Sequence, residues 1–206
     1  MIKIEKDKLG LQDYFYIGYL YLIILGIVSD AIFYGIFGVT YLNYTTILDA
    51  LISPISLLAN NWILSLFLIF MFGLLYLYLT RWMPKLYKYL RFKKWYQKIY
   101  NVEKWDKRYA KIEDKNNLLP GLMFLFFLLF VSMRTGMGIG MKQKYQSREI
   151  TPNYTLVFKD NLKLDVRKIG QNSAYFFYFL PGETEITATP ISDNLKQIKR
   201  LKKKKK

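Results

Sequence analysis

The cations of this chain are segregated into blocks. No Lys or Arg occurs between Lys8 and Arg81, and none between Lys115 and Arg134. An exposed helix or strand in a soluble domain needs a polar face, which spreads charge along the sequence. With 52% hydrophobic and 22% charged residues, the composition is unremarkable until position is considered. Read by position, it is the pattern of a membrane protein. At 206 residues the chain has room for one or two small domains. It contains no Cys and no His, which excludes disulfides, thiolate nucleophiles, imidazole bases and Cys/His zinc sites. No cofactor or metal is expected.

A hydrocarbon core of about 30 Å takes roughly 20 apolar residues in helix. Residues 14–37 satisfy this, with Asp30 their one ionisable carboxylate or amine. They are too long for a cleaved signal peptide, and no small-residue cleavage site follows. Residues 57–80 form a second candidate, opened by Asn60 and Asn61 and closed by Arg81 and Trp82. Residues 118–141 form a third, with Pro120 near the first turn, where a missing N–H costs nothing. Three transmembrane helices are expected. Residues 38–56, with Asp49 and Pro54, are too broken to cross and read as an interfacial amphipathic or re-entrant element within the 14–80 region.

Orientation follows from the flanking cations. The N-terminal flank, residues 1–13, carries Lys3, Lys6 and Lys8, and the connection between the first two spans carries no Lys or Arg. From Arg81 to Lys115 there are twelve Lys or Arg against four acids. The N-terminus and this connection are therefore expected in the cytoplasm, with everything after Met141 outside. The C-terminal region itself carries fifteen Lys or Arg, but most lie beyond the ~20 residues over which the bias acts.

The connection, residues 81–117, interleaves its cations with aromatics. Trp82, Trp95 and Trp105 are expected as interface anchors, with Lys85, Lys88 and Lys98 meeting anionic lipid headgroups. Nucleic acid is the other polyanion such a mixture can bind. Tethering by a span at each end makes lipid the nearer one, and no nucleic-acid partner is expected.

Two charges fall inside spans, and each needs a partner or water. Asp30 lies 16 residues after Tyr14, and Arg134 lies 16 residues after Leu118. At 1.5 Å per residue both sit about 24 Å along outward-running helices, at matching depth. An Asp30–Arg134 intramembrane ion pair is predicted, either fixing helix register or serving as a gate; snorkelling of Arg134 to the outer headgroups is the alternative. Next to it, Gly136 and Gly140 form a small-xxx-small pair that permits close helix packing.

Past Gln143 the hydrophobic period changes from helix to strand. Residues 154–159, 162–167, 173–180, 183–189 and 195–201 read as five short strands, with a helical turn over 190–194. Residues 143–201 are thus expected to form a small all-β domain, an SH3-like or Sm-like barrel, followed by a disordered Lys tail at 202–206. In the run Tyr175-Phe176-Phe177-Tyr178-Phe179 strand faces alternate, so one aromatic set must be exposed or meet the membrane or a partner.

The expected class is therefore α-helical membrane protein with a small β domain. The expected function is a non-catalytic scaffold or sensor in a bacterial cytoplasmic (inner) membrane, the bacterial source being suggested by heavy Lys, Ile, Asn, Tyr and Phe usage. Its partners would be the bilayer, anionic headgroups, a protein or envelope partner of the β domain, and a second copy of itself. A glycine-bearing third span (Gly136, Gly138, Gly140) followed by a small β domain resembles the layout of small-conductance mechanosensitive channels, in the order of elements only. That resemblance implies a homo-oligomeric channel with the third helix lining the pore. The chain lacks the family's long Gly/Ala-repeating pore helix, and its basic connection puts the β domain on the opposite side. An intramembrane enzyme is the third possibility, but no paired carboxylates, metal ligands or Ser/Lys dyad stand at usable spacing.

Overall fold

The computed structural model describes residues 10–99, 101, 106, 115–146, 151–181, 183 and 185–201. The described chain is mostly helical, with a five-stranded antiparallel sheet at its C-terminal end. Three helices are long and apolar enough to cross a membrane: Leu11–Gly35, Trp62–Leu90 and Pro120–Tyr145. The chain divides into two compact units, one made of Met1–Ser56 with Val131–Lys206 and the other of Leu57–Phe130.

In the first unit, α1 (Leu11–Gly35) opens with the Gly10 amide donating to Asp13 Oδ2 at 2.8 Å, an acid where the helix dipole favours one. The turn that follows it closes at Gly38, whose φ of +82° suits a residue without Cβ, while Val39 N–H donates back to the Tyr34 carbonyl. A 3-10 turn (Tyr41–Tyr44) follows, and then α2 (Ile47–Asn60). The start of α2 is a capping box: Asp49 N–H donates to Thr46 Oγ1, and Thr46 N–H donates to Asp49 Oδ2.

Pro54 sits inside α2 and has no N–H to offer the Ala50 carbonyl four residues back. That carbonyl instead lies against Gly26 of α1, so close that a Cβ there would collide with it. Gly26 is nine residues before the end of α1, about 13 Å along the axis. Ala50 thus lies back along α1, against Gly26. Gly26→Val is expected to destabilise the chain by about 1–3 kcal/mol, because a backbone carbonyl cannot rotate away as a side chain could. Thermal denaturation of the detergent-solubilised protein, followed by tryptophan fluorescence, measures this.

The second unit contains α3 (Trp62–Leu77), a π-helical turn (Tyr78–Trp82), α4 (Met83–Leu90) and α5 (Lys94–Ile99). Its boundaries differ from those expected for a span over 57–80. Asn61 is the break between α2 and α3, at φ −130° and ψ 77°. Its Nδ2 donates to the Leu57 carbonyl, and Ser65 Oγ donates to the Leu58 carbonyl at 2.6 Å, filling acceptors left by the break. At the other end Arg81 and Trp82 do not close the helix. Pro84 removes one donor and crowds the carbonyl of residue 80, so the helix widens by a π turn and continues to Leu90.

The helix α6 (Lys115–Gln146) belongs to both units along its length. In its Val131–Gln146 part, successive contacts with α1 advance together. Arg134 meets Asp30, Gly138 meets Phe33 and Ile36, and Lys142 Nζ donates to the Ile36 carbonyl at 2.7 Å. The two helices therefore run side by side in the same direction, with their C-terminal ends together.

The sheet has the order β4-β3-β2-β1-β5, built from β1 (Tyr154–Phe158), β2 (Lys163–Gln171), β3 (Tyr175–Phe179), β4 (Ile186–Pro190) and β5 (Leu195–Arg200). A single helical turn, α7 (Ile191–Asn194), joins β4 to β5, the two ends of that order. Expected and observed strands agree in number and order, with two main changes. The fourth begins at Ile186 rather than 183, and the second runs on past 167 to Gln171, through a bulge between Lys168 and Gly170. The bulge lets the first half of β2 pair with β1 and the second half with β3. Between β1 and β2, Asn161 takes the left-handed turn conformation, φ 66°, which Asn tolerates. Leu156, Val166, Phe176, Tyr178 and Leu195 form the domain core.

Candidate functional site

Alternation divides the aromatic run of β3. Phe176 and Tyr178 point into the core of the sheet domain, whereas Phe177 belongs to a second cluster with Phe33, Tyr34 and Tyr41. The set left without a recipient in the sequence thus meets the chain's own helix ends. Tyr34 stacks on Tyr41 at 4.6 Å and lies 4.8 Å from Phe177, and Tyr44 meets Tyr175 edge-on at 5.1 Å. Phe179 stacks on Tyr145, in the last turn of α6, at 3.6 Å, and the Tyr145 hydroxyl donates to the Leu180 carbonyl. Gly170 completes the fit, since a Cβ there would strike the Tyr34 hydroxyl.

Hydrogen bonds lock this seat. Asn172 Nδ2 donates to the Tyr44 carbonyl at 2.7 Å. Ser173 donates through its amide to Asp49 Oδ1 and through its hydroxyl to Asp49 Oδ2, both at 3.0 Å. Burial alone would raise the Asp49 pKa, but the bonds from Thr46 and Ser173 together outweigh it and hold the carboxyl below its usual value of 3.8. A depressed carboxyl contributes stability that is present above the unfolded-state pKa and is lost as pH falls through the folded one. Seating is therefore expected to weaken only below about pH 4. Asp49→Asn should remove that acid-side dependence and cost about 1.5–3 kcal/mol at neutral pH. Hydrogen exchange of the Ser173 amide across a pH series reads both.

Beneath the seat, Arg134 Nη2 donates to Asp30 Oδ1 at 2.7 Å, and both residues are buried. The guanidinium carbon lies 3.9 Å from the Phe33 ring centroid, which adds a cation–π contact. Burial, and then the Asp30 charge, push the Tyr41 hydroxyl up to about 12. The carboxylate is thus held by α6, with Tyr41 of the 3-10 turn within reach of its charge.

The structure places the remaining predicted residues as follows. A Cβ at Gly136 or Gly140 would meet open space, whereas one at Gly138 would press on Ile36 and Phe33. The helix contact therefore falls on Gly138, and the tightest approaches are at Gly26 and Gly170, which no small-xxx-small spacing marks. Trp82 and Trp95 are exposed, and Trp105 lies outside the described residues. Near them, Arg91 Nη2 and the Tyr87 hydroxyl both bond Asp106, at 3.4 and 2.6 Å.

No protein-family model, curated protein or solved structure matches this chain. Asp49 and Tyr41 were missed by sequence reasoning. For Asp49 a signal existed in Thr46-x-x-Asp49, a capping-box spacing, but nothing local ties it to Ser173.

Proposed function

We propose that this chain is a non-catalytic integral membrane protein, a scaffold or sensor that presents a small β domain outside a bacterial cytoplasmic membrane. One observation carries the reading: α1 and the end of α6 run in the same direction, and the aromatic face of β3 is clamped on their joined ends. Two parallel spans need a third between them, and Trp62–Leu90 is long and apolar enough to be that span. The N-terminus and the basic connection then share the cytoplasmic side, and the β domain stands opposite. Five short strands with a helical turn before the last support an SH3-like barrel.

A domain held by stacked rings and a carboxylate clasp moves with the helices beneath it, which suits transmission of a binding event or a membrane strain. The second reading, a homo-oligomeric channel, is favoured by the open space beside Gly136 and Gly140, where another copy could approach. Reconstitution into liposomes under applied tension separates the two. The scaffold or sensor reading expects no conductance at any tension, and a tension-gated current would replace it with the channel.

A further inference from the structure

Among the described residues, the cations of the β domain form no ion pair. Among the described residues, the ion pairs are Arg134–Asp30 and Arg91–Asp106, and neither lies in the sheet. Arg167 stands opposite Phe179 in the β2–β3 ladder, one strand from the ring that stacks on Tyr145 at the end of α6. Its Nη1 donates to the Thr151 carbonyl at 3.3 Å, and its buried Nε has no acceptor among the described residues. Lys168 holds its Nζ 5.4 Å from the ring centroids of both Tyr154 and Phe176 and donates to Gln171 Oε1. Exposed Arg200 is the β5 residue paired with Tyr154, whose ring Lys168 faces. Burial, and then the proximity of Arg200, lower the Lys168 amine below its usual range, in keeping with two cations held close together.

Their place in the fold matters as much as their number. Lys142 is the first cation after Arg134 on α6, and its Nζ bonds the Ile36 carbonyl one residue past the end of α1. This is the level at which both helices pass from apolar to polar sequence, beside Phe37, Tyr44 and Tyr145. A span that leaves a bilayer there puts lipid phosphates at the same height.

We propose that Lys142, Arg167, Lys168 and Arg200 form a cationic collar, at the junction of the helices and the β domain, that binds the phosphates of anionic phospholipid headgroups. The proposal rests on the reading of the chain as membrane-spanning, and it makes lipid the partner of this face of the β domain. A collar of this kind fixes the height and tilt of the domain and makes its seating depend on lipid charge.

The test uses the full chain reconstituted in phosphatidylcholine vesicles with and without a minority of phosphatidylglycerol. Phosphatidylglycerol retained per chain is read by native mass spectrometry after gentle detergent release. Each cation near the surface contributes a factor of about five. The triple variant Arg167→Gln, Lys168→Gln, Arg200→Gln is therefore expected to lose retention by ~100-fold. The control triple Lys159→Gln, Lys163→Gln, Lys196→Gln makes the same charge change around the β1–β2 turn and is expected to retain the lipid. Equal loss in both triples, or no loss in either, overturns the collar. Displacement of the lipid by soluble polyphosphate, with no dependence on vesicle composition, also overturns it, because the site then prefers a free anion. If the first triple fails to fold, Arg200→Gln alone, at an exposed position, should still lose about fivefold, and unchanged retention contradicts the proposal. Alkaline carbonate extraction separates the two readings. A chain washed off the vesicles removes the spanning account, whereas a chain that stays without headgroup preference removes only the collar.

Discussion

Arg134→Met is expected to destabilise the folded chain by about 3–5 kcal/mol, because it leaves the Asp30 carboxylate buried without its cation. Arg134 is Asp30's only cationic partner at ion-pair distance among the described residues, and the Tyr41 hydroxyl cannot replace a charge. Asp30→Asn should be milder, since the amide still accepts a hydrogen bond from Arg134 but leaves a buried cation uncompensated. The exchange Asp30→Arg with Arg134→Asp should recover part of what either reversal loses, and Asp30→Leu with Arg134→Met should approach neutrality by removing both charges. Thermal denaturation in detergent ranks these variants. A double exchange as defective as either single reversal would show that the pairing is not what the site requires.

Phe177→Ala is expected to cost about 3–5 kcal/mol, in line with truncation of a fully buried ring, and the loss should be local. The ring contacts Tyr34, Tyr41 and Tyr44, so its removal opens the seat while the β-sheet core of Leu156, Val166, Phe176 and Tyr178 stays intact. Phe176→Ala, one residue away and equally buried, should instead unfold the sheet. Hydrogen exchange distinguishes them. In Phe177→Ala, protection should fall at the 3-10 turn and at Ser173 but persist in β1 and β2. Loss of protection throughout the sheet in both variants would mean that the domain does not stand as a core of its own.

The features legible in the sequence are those set by local composition or by depth. Uninterrupted apolar runs mark the three long helices, because burying backbone in hydrocarbon demands them. Asp30 and Arg134 could be matched because helix rise converts residue number into height. The period-2 run in β3 showed that two aromatic sets must face opposite ways. What that pattern could not show was the recipient of the second set, since Tyr34, Tyr41 and Tyr44 reach it only once α1, the 3-10 turn and the sheet are assembled. The glycine contacts were illegible for the same reason. Gly136, Gly138 and Gly140 look alike in sequence, and the crossing with α1 selects the middle one. The helix itself continues past the expected span end at Arg81, because Pro84 widens it by a π turn without ending it, which the charge at Arg81 does not reveal.

The proposed topology puts the β domain and the basic connection on opposite sides of a membrane. A chain without cysteine allows a clean measurement. Single variants Lys98→Cys and Lys199→Cys, expressed in intact cells, are treated with a membrane-impermeant maleimide. Labelling at position 199 alone, with position 98 reacting only after permeabilisation, is the predicted result. Equal reactivity of both positions from the same side would contradict it and with it the three-span arrangement.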